Sequence, residues 1–264
     1  MSSLDARIGL VTGAGQGIGR AIAVAMAQSG AAAVAVADRQ EATAAETADL
    51  VRAGGAEAEV IMCDLRDRNQ VEAMVARTAQ RFGGLDVLFN NAGVIETSLT
   101  NDCAVDTISE EVWDAVYEVN LKAVWLTTKF AAPHLRRSTR GPAIVNTASV
   151  SGLTGFPLGP AYCTTKGGVI QLTKVTAIDL APVRCNCFCP GVIDTPLAQG
   201  FFAAAEDRDA MERALVAPQL VERLGRPEEV AKLACFLASD DAAFITGASY
   251  VIDGGALAWR GVRG

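Results

Sequence analysis

Short β-branched runs alternate with longer stretches of helical period along almost the whole chain, and this alternation limits it to few architectures. Residues 8–12 read as a strand and 17–29 as a helix ending at Gly30. Residues 33–37 and 41–53 repeat the pair, stopped by Gly54-Gly55, and 59–62 with 67–82 repeat it again. Residues 86–90 form a fourth strand, 109–136 one long helix, and 143–148 a fifth strand behind the Gly141-Pro142 turn. Pro160 suits the first turn of a helix running to residue 180, stopped by Pro182. Residues 183–189 and 249–252 bring the strands to seven. Strands separated by helices of this length need crossover connections. The expected fold is therefore α/β, a doubly wound parallel seven-stranded sheet with helices on both faces. No linker, repeat or low-complexity segment divides the 264 residues, so 1–264 read as a single domain.

Composition excludes several function classes. Half the residues are hydrophobic and a fifth are charged, enough for a sizeable core. The net charge is −7 with scattered cations, which argues against nucleic acid or an anionic membrane as partner. No apolar stretch approaches the roughly 18 residues of a membrane span. Residues 1–6 carry no basic region followed by an apolar one, so no signal peptide is expected and a cytoplasmic location follows. Seven cysteines are an odd count for a disulfide framework. Cys185, Cys187 and Cys189 alternate along a strand, so their sulfurs share one face and read as core rather than as a metal site. His134, the single histidine, lies near a helix end and reads as structural; one histidine excludes multi-His metal centres. No metal is expected.

Two clusters carry chemistry. Between the first strand and first helix stands Thr12-Gly13-Ala14-Gly15-Gln16-Gly17-Ile18-Gly19. Glycines there let backbone N–H groups approach a pyrophosphate, whose charge the helix start favours. Asp38 ends the second strand, where a carboxylate accepts hydrogen bonds from ribose hydroxyls and repels a 2′-phosphate. Arg39 follows and could welcome that phosphate, but the balance favours NAD over NADP. The second cluster is Tyr162 and Lys166, four apart on a helix and so about 6 Å apart along one face. A free tyrosine titrates near 10. A neighbouring ammonium and a nicotinium charge favour the phenolate; a shift of about 3 units needs roughly 4 kcal/mol. Tyr162 could then accept or return a hydroxyl proton. Ser149, behind the fifth strand, could donate to the developing oxyanion, its neighbour Ser151 being less well placed.

The order and spacing of these motifs resemble the short-chain dehydrogenase/reductase family over nearly the full length. The further matches are Asp64, Asn90-Asn91-Ala92-Gly93, Asn120, Tyr162-Cys163-Thr164-Thr165-Lys166, Pro190-Gly191-Val192-Ile193-Asp194-Thr195 and Asp253-Gly254-Gly255. The resemblance implies a Rossmann fold with Asp64 and Leu65 at the adenine and Asn91, Ala92 and Gly93 along the cofactor cleft. It implies Pro190, Gly191, Ile193 and Thr195 around the nicotinamide carboxamide. It implies that Asn120 holds a water linking Lys166 to solvent. A substrate lid over 196–217 is also implied, with Leu197, Phe201, Phe202 and Met211. So is a homotetramer packed through the helices starting near Ser109 and Pro160. The tail 259–264 could extend to a neighbouring subunit. Two departures stand out, a long connection over 94–108 and a short one over 181–184.

The expected reaction is hydride transfer between NAD and a secondary alcohol or ketone, a small-molecule substrate. Leu153, Phe156 and Leu158 would wall an apolar pocket. Glu96 could bind hydroxyls of a polyol, or be an exposed loop carboxylate. The alternatives are a 3-oxoacyl thioester (acyl-carrier-protein) reductase, which would ordinarily use NADPH, and a catalytically silent dinucleotide-binding protein.

Overall fold

The computed structural model describes residues 3–203 and 205–259. Residues 260–264 of the tail lie outside the described residues. Seven strands, β1 (Ile8–Thr12), β2 (Ala33–Asp38), β3 (Glu57–Met62), β4 (Val87–Asn90), β5 (Ala143–Thr147), β6 (Arg184–Pro190) and β7 (Ser249–Ile252), form one sheet. Every pairing is parallel and the order is β3-β2-β1-β4-β5-β6-β7. Helices α1 (Gly17–Gln28), α2 (Glu41–Ala53) and α3 (Arg68–Phe82) make the first crossovers. Asp67, at the expected start of α3, caps it by accepting from Asn69 N and Gln70 N.

The long helix expected over 109–136 is interrupted. Helix α4 (Glu110–Tyr117) and α5 (Ala123–Leu135) are joined by a π-turn, Glu118–Lys122. Such turns add a residue to the helical repeat and turn a side chain out of the regular pattern. Here Asn120 lies within it. Helix α6 (Pro160–Asp179) begins with its proline as the sequence predicts.

Beyond β6 come α7 (Pro196–Ala203), α8 (Arg208–Val216) and α9 (Pro227–Ala238). The sequence reading left α9 unassigned, although it completes the crossover to β7. Its signals are Pro227 at the first turn, Glu229 accepting from Arg226 N at 2.8 Å, and apolar residues at 230, 234 and 237. Arg184, buried on β6, donates to the α9 end carbonyls of Leu237 at 2.7 Å and Ser239 at 2.9 Å. These are carbonyls that a helix end leaves open.

Alternation along the strands sorts the core into two layers. Val11, Val36, Phe89, Val145 and Phe188 pack with α1, α2 and α9. Leu10, Ala35, Leu88 and Ile144 pack with α3 and α5. Full burial of a side chain such as Phe89 or Phe188 contributes about 1.5–3 kcal/mol. Cys185, Cys187 and Cys189 are all buried on the α6 side, among Val169, Ile170 and Ala177, so their shared face is a core face. The chain reverses direction of growth between β1 and β4, and the cleft opens at the carboxyl ends of these strands.

Candidate active site

The cleft, about 610 Å³, runs from the end of β2 across β1 and β4 to β5 and β6. At its first end the glycine loop turns sharply. Gly13 has φ +63°, and a Cβ there would stand 2.8 Å from Ala92 Cα. Gly13, Gln16, Gly17 and Ile18 line the cleft. Gly19 does not: it lies beneath, where a Cβ would come 2.1 Å from the Gly13 carbonyl oxygen. Its part is to let α1 approach the loop. Helix α1 has no side-chain cap and no acidic residue in its first turn, so its open N–H groups face the loop.

Asp38 accepts from Gly15 N at 2.8 Å through one oxygen and from Gln40 N at 3.0 Å through the other. Each oxygen keeps a lone pair for a ligand. Arg39 also borders this end. Asp64 and Leu65 follow, with the Arg66 guanidinium holding the Asp64 carboxyl below its ordinary range. Arg20 was missed by sequence reasoning. It donates to the Gly15 carbonyl at 2.6 Å and to Thr47 Oγ1 at 3.0 Å, bracing the loop from below. A cation one turn into an otherwise apolar helix was its signal.

In the middle, Asn91, Ala92 and Gly93 line the cleft. Thr12 Oγ1 accepts from Asn91 N at 3.0 Å, and Asn91 Nδ2 donates back to the Thr12 carbonyl at 3.1 Å. Pro190, Gly191, Ile193 and Thr195 form the wall beyond β6. Asn120 is buried outside the cleft. Its amide accepts from Val94 N and donates to the Val94 carbonyl, both at 2.8 Å. It is a clamp between the π-turn and the chain leaving β4.

Ser149, Tyr162 and Lys166 converge at the β5 end. Lys166 is buried, donates to the Thr147 carbonyl at 2.8 Å, and lies 5.6 Å from the centre of the Tyr162 ring. Desolvation brings the Lys166 ammonium down to about 8. Burial also pushes the Tyr162 hydroxyl up, while the Ser149 hydroxyl pulls it back. This corrects the sequence argument, which counted the attraction between the pair and left out the desolvation of both. Tyr162 meets Phe156 edge to face, with ring centres 6.2 Å apart.

Three expected substrate contacts are corrected. Leu153 is 46% exposed and, like Leu158, does not line the cleft; among the expected walls Phe156 lines it. Glu96 is neither a substrate ligand nor an exposed loop carboxylate: it is fully buried, with Oε1 accepting from Ala161 N and Tyr162 N. A buried helix start draws the carboxylate inward because its N–H groups need acceptors. Leu197, Phe201 and Phe202 do line the cleft, as do Val94, Ile95 and Leu215, which the sequence reading passed over; Met211 does not.

A family model described as Enoyl-(Acyl carrier protein) reductase matches residues 13–256. A solved short-chain type dehydrogenase/reductase from Mycobacterium marinum superposes with a TM-score of 0.86 at 34% identity, covering 96% of each chain. This chain belongs to the short-chain dehydrogenase/reductase family. Among its relatives, 3beta-hydroxysteroid dehydrogenase 2 of Eggerthella lenta is 35% identical over 254 residues, 96% of this chain and 95% of that one. The 3-oxoacyl-[acyl-carrier-protein] reductase of Thermotoga maritima is 37% identical over 254 residues, 96% and 98% respectively. The dehydrogenase/reductase is thus an oxidoreductase of CH–OH groups that works with a nicotinamide dinucleotide. The open α1 start, the glycine turn and the free lone pairs of Asp38 fit such a group.

Proposed function

We propose that this short-chain dehydrogenase/reductase interconverts a neutral secondary alcohol and its ketone, with NAD as its dinucleotide. The observation that carries this reading is the convergence of Ser149, Tyr162 and Lys166 at one end of a cleft whose other end is Asp38. The bound dinucleotide supplies the hydride acceptor or donor. Tyr162 takes the alcohol proton during oxidation and returns it during reduction. Ser149 donates to the oxygen that carries the developing charge. Lys166 holds positive charge beside the phenol and its Nζ is fixed on the Thr147 carbonyl. Asn120 keeps the chain after Gly93 in place; its service to a water relay is the role the family resemblance suggests.

Charge along the cleft bears on the substrate. Asp38, Arg39, Asp64 and Arg66 gather at the β2–β3 end, while Val94, Ile95, Phe156, Leu197, Phe201 and Leu215 surround the other. With Glu96 withdrawn into the core, a polyol loses its candidate anchor. An apolar alcohol suits these walls, and the Eggerthella lenta relative is by name a hydroxysteroid dehydrogenase. A second reading, reduction of a 3-oxoacyl thioester, has the Thermotoga maritima relative in its favour and Asp38 against it.

Dinucleotide choice tests both. Fluorescence titration is expected to give NADH roughly ten times or more the affinity of NADPH, because a 2′-phosphate would face the Asp38 carboxylate. Asp38→Ala is expected to erase most of that preference by weakening NADH. Equal affinities in the wild type would count against NAD and favour the thioester reductase. A homotetramer in the cytoplasm accords with the family and with the exposed apolar residues Trp125, Val175 and Ile178 on α5 and α6. No helix among the described residues is long and apolar enough to cross a membrane.

A further inference from the structure

Helix α6 carries both Tyr162 and Lys166, yet it begins without a cap of its own. Gly159 precedes it with no side chain to offer, and Pro160 has no N–H to satisfy. The next two donors, Ala161 N and Tyr162 N, both go to Glu96 Oε1, at 2.9 and 3.1 Å, across 65 and 66 residues of chain. Glu96 is 0% exposed, and its second oxygen is buried with no hydrogen-bond partner. A half-satisfied buried carboxylate destabilises a fold. A side chain at 159 is not free to cap the helix instead, because a Cβ there would stand 2.4 Å from Phe156 Cζ, on the ring that meets Tyr162. The acceptor for these N–H groups has to come from elsewhere in the chain, and Glu96 supplies it.

What the remote cap adds is a mechanical link. Two residues before Glu96, Val94 is clamped through both its backbone groups by Asn120. The chain leaving Gly93 is thereby tied first to the π-turn and then, through Glu96, to the backbone of Tyr162 itself. We propose that Glu96 is a positioning residue for Tyr162, fixing the first turn of α6 against the 94–98 segment so that the phenol stays at Ser149 and Lys166 with a carboxylate beside it. This rests on Tyr162 being the acid–base group.

The carboxylate also acts through its charge. Tyr162 faces Lys166 and Cys163 from its own helix, Ser149 from the end of β5, and Glu96 from the 96–98 turn. Of these Glu96 opposes the phenolate and Ser149 favours it. Cys163 and Cys103 feel the same carboxylate. Helices α4 and α7 pack on that turn as well. Helix α4 turns Glu110, Glu111 and Asp114 to solvent, and α7 has no ionisable side chain.

Glu96→Gln keeps one carbonyl oxygen for the two N–H groups and removes the charge, whereas Glu96→Ala removes both. With Gln, kcat for alcohol oxidation is expected within about threefold of wild type, and the rising limb of the pH–rate profile moves down by roughly half a unit. An ultraviolet titration of tyrosinate, with Tyr162→Phe as the blank, needs no turnover and is expected to move the same way. With Ala, kcat is expected to fall roughly tenfold or more while the dinucleotide KM stays within about twofold, and Gln restores the rate. An unmoved Tyr162 titration in Glu96→Gln, or full kcat in Glu96→Ala, overturns the proposal. If the Ala variant fails to fold, the Gln titration decides alone. Wild-type turnover by Tyr162→Phe would instead remove the acid–base assignment, and the absorbance titration would still report on Glu96.

Discussion

Tyr162→Phe is expected to lower kcat/KM for a secondary alcohol by roughly 10³-fold while NADH affinity stays within a few fold. The substitution removes one oxygen. The edge-to-face contact with Phe156 and the ring's proximity to Lys166 do not depend on that oxygen, so the cleft keeps its shape. What goes is the hydroxyl that the proposed mechanism uses as its proton acceptor. Positioned acid–base groups are worth about 10²–10⁴ in rate. Steady-state kinetics with NAD and a panel of secondary alcohols, alongside NADH fluorescence titration, make the measurement. A variant within tenfold of wild type would mean that the proton leaves by another route.

Lys166→Met is expected to lose about 10²-fold or more in turnover and yet to gain stability at neutral pH. Burial has brought the ammonium down to about 8, whereas an unfolded lysine titrates near 10.4. Between those values the unfolded chain binds more protons than the folded one, so wild-type stability rises with pH across that window. Below about 8 the penalty of the buried charge is present in full, and above about 10.4 it is gone. The methionine variant escapes the penalty but loses the bond to the Thr147 carbonyl. Its net gain at pH 7 is set at roughly 1–3 kcal/mol, fading as the pH approaches 10. Denaturant melts at the two pH values test this. A variant less stable than wild type at pH 7, by the same amount at pH 10, would contradict it.

Both expectations reach residues that were readable in the chain. Tyr162 and Lys166 were found by their spacing, because a helical period of 3.6 places residues four apart on one face whatever surrounds them. The glycine turn and Asp38 were legible for a similar reason, since each sits at a strand end that alternation alone identifies. Glu96 was not. Its number in the chain says nothing about the start of α6, and only folding brings the two together. Leu153 fails likewise, because it follows a 3₁₀ turn after Ser149 and is left exposed outside the cleft lining. Helix α9 differs from these, since its signals are local: Pro227 and Glu229 stand at its start, just ahead of the apolar residues 230, 234 and 237.

Local periodicity and backbone stereochemistry thus determined the seven strands, most of the helices, the parallel class of sheet and the placing of Tyr162 and Lys166 on one helix face, since each depends on neighbours in the chain. The strand order, the π-turn that lets Asn120 clamp Val94, and the carboxylate beneath Tyr162 were decided by tertiary structure. So was the direction in which Tyr162 and Lys166 titrate. Desolvation belongs to the space around a group, and spacing in a sequence measures only the distance between groups.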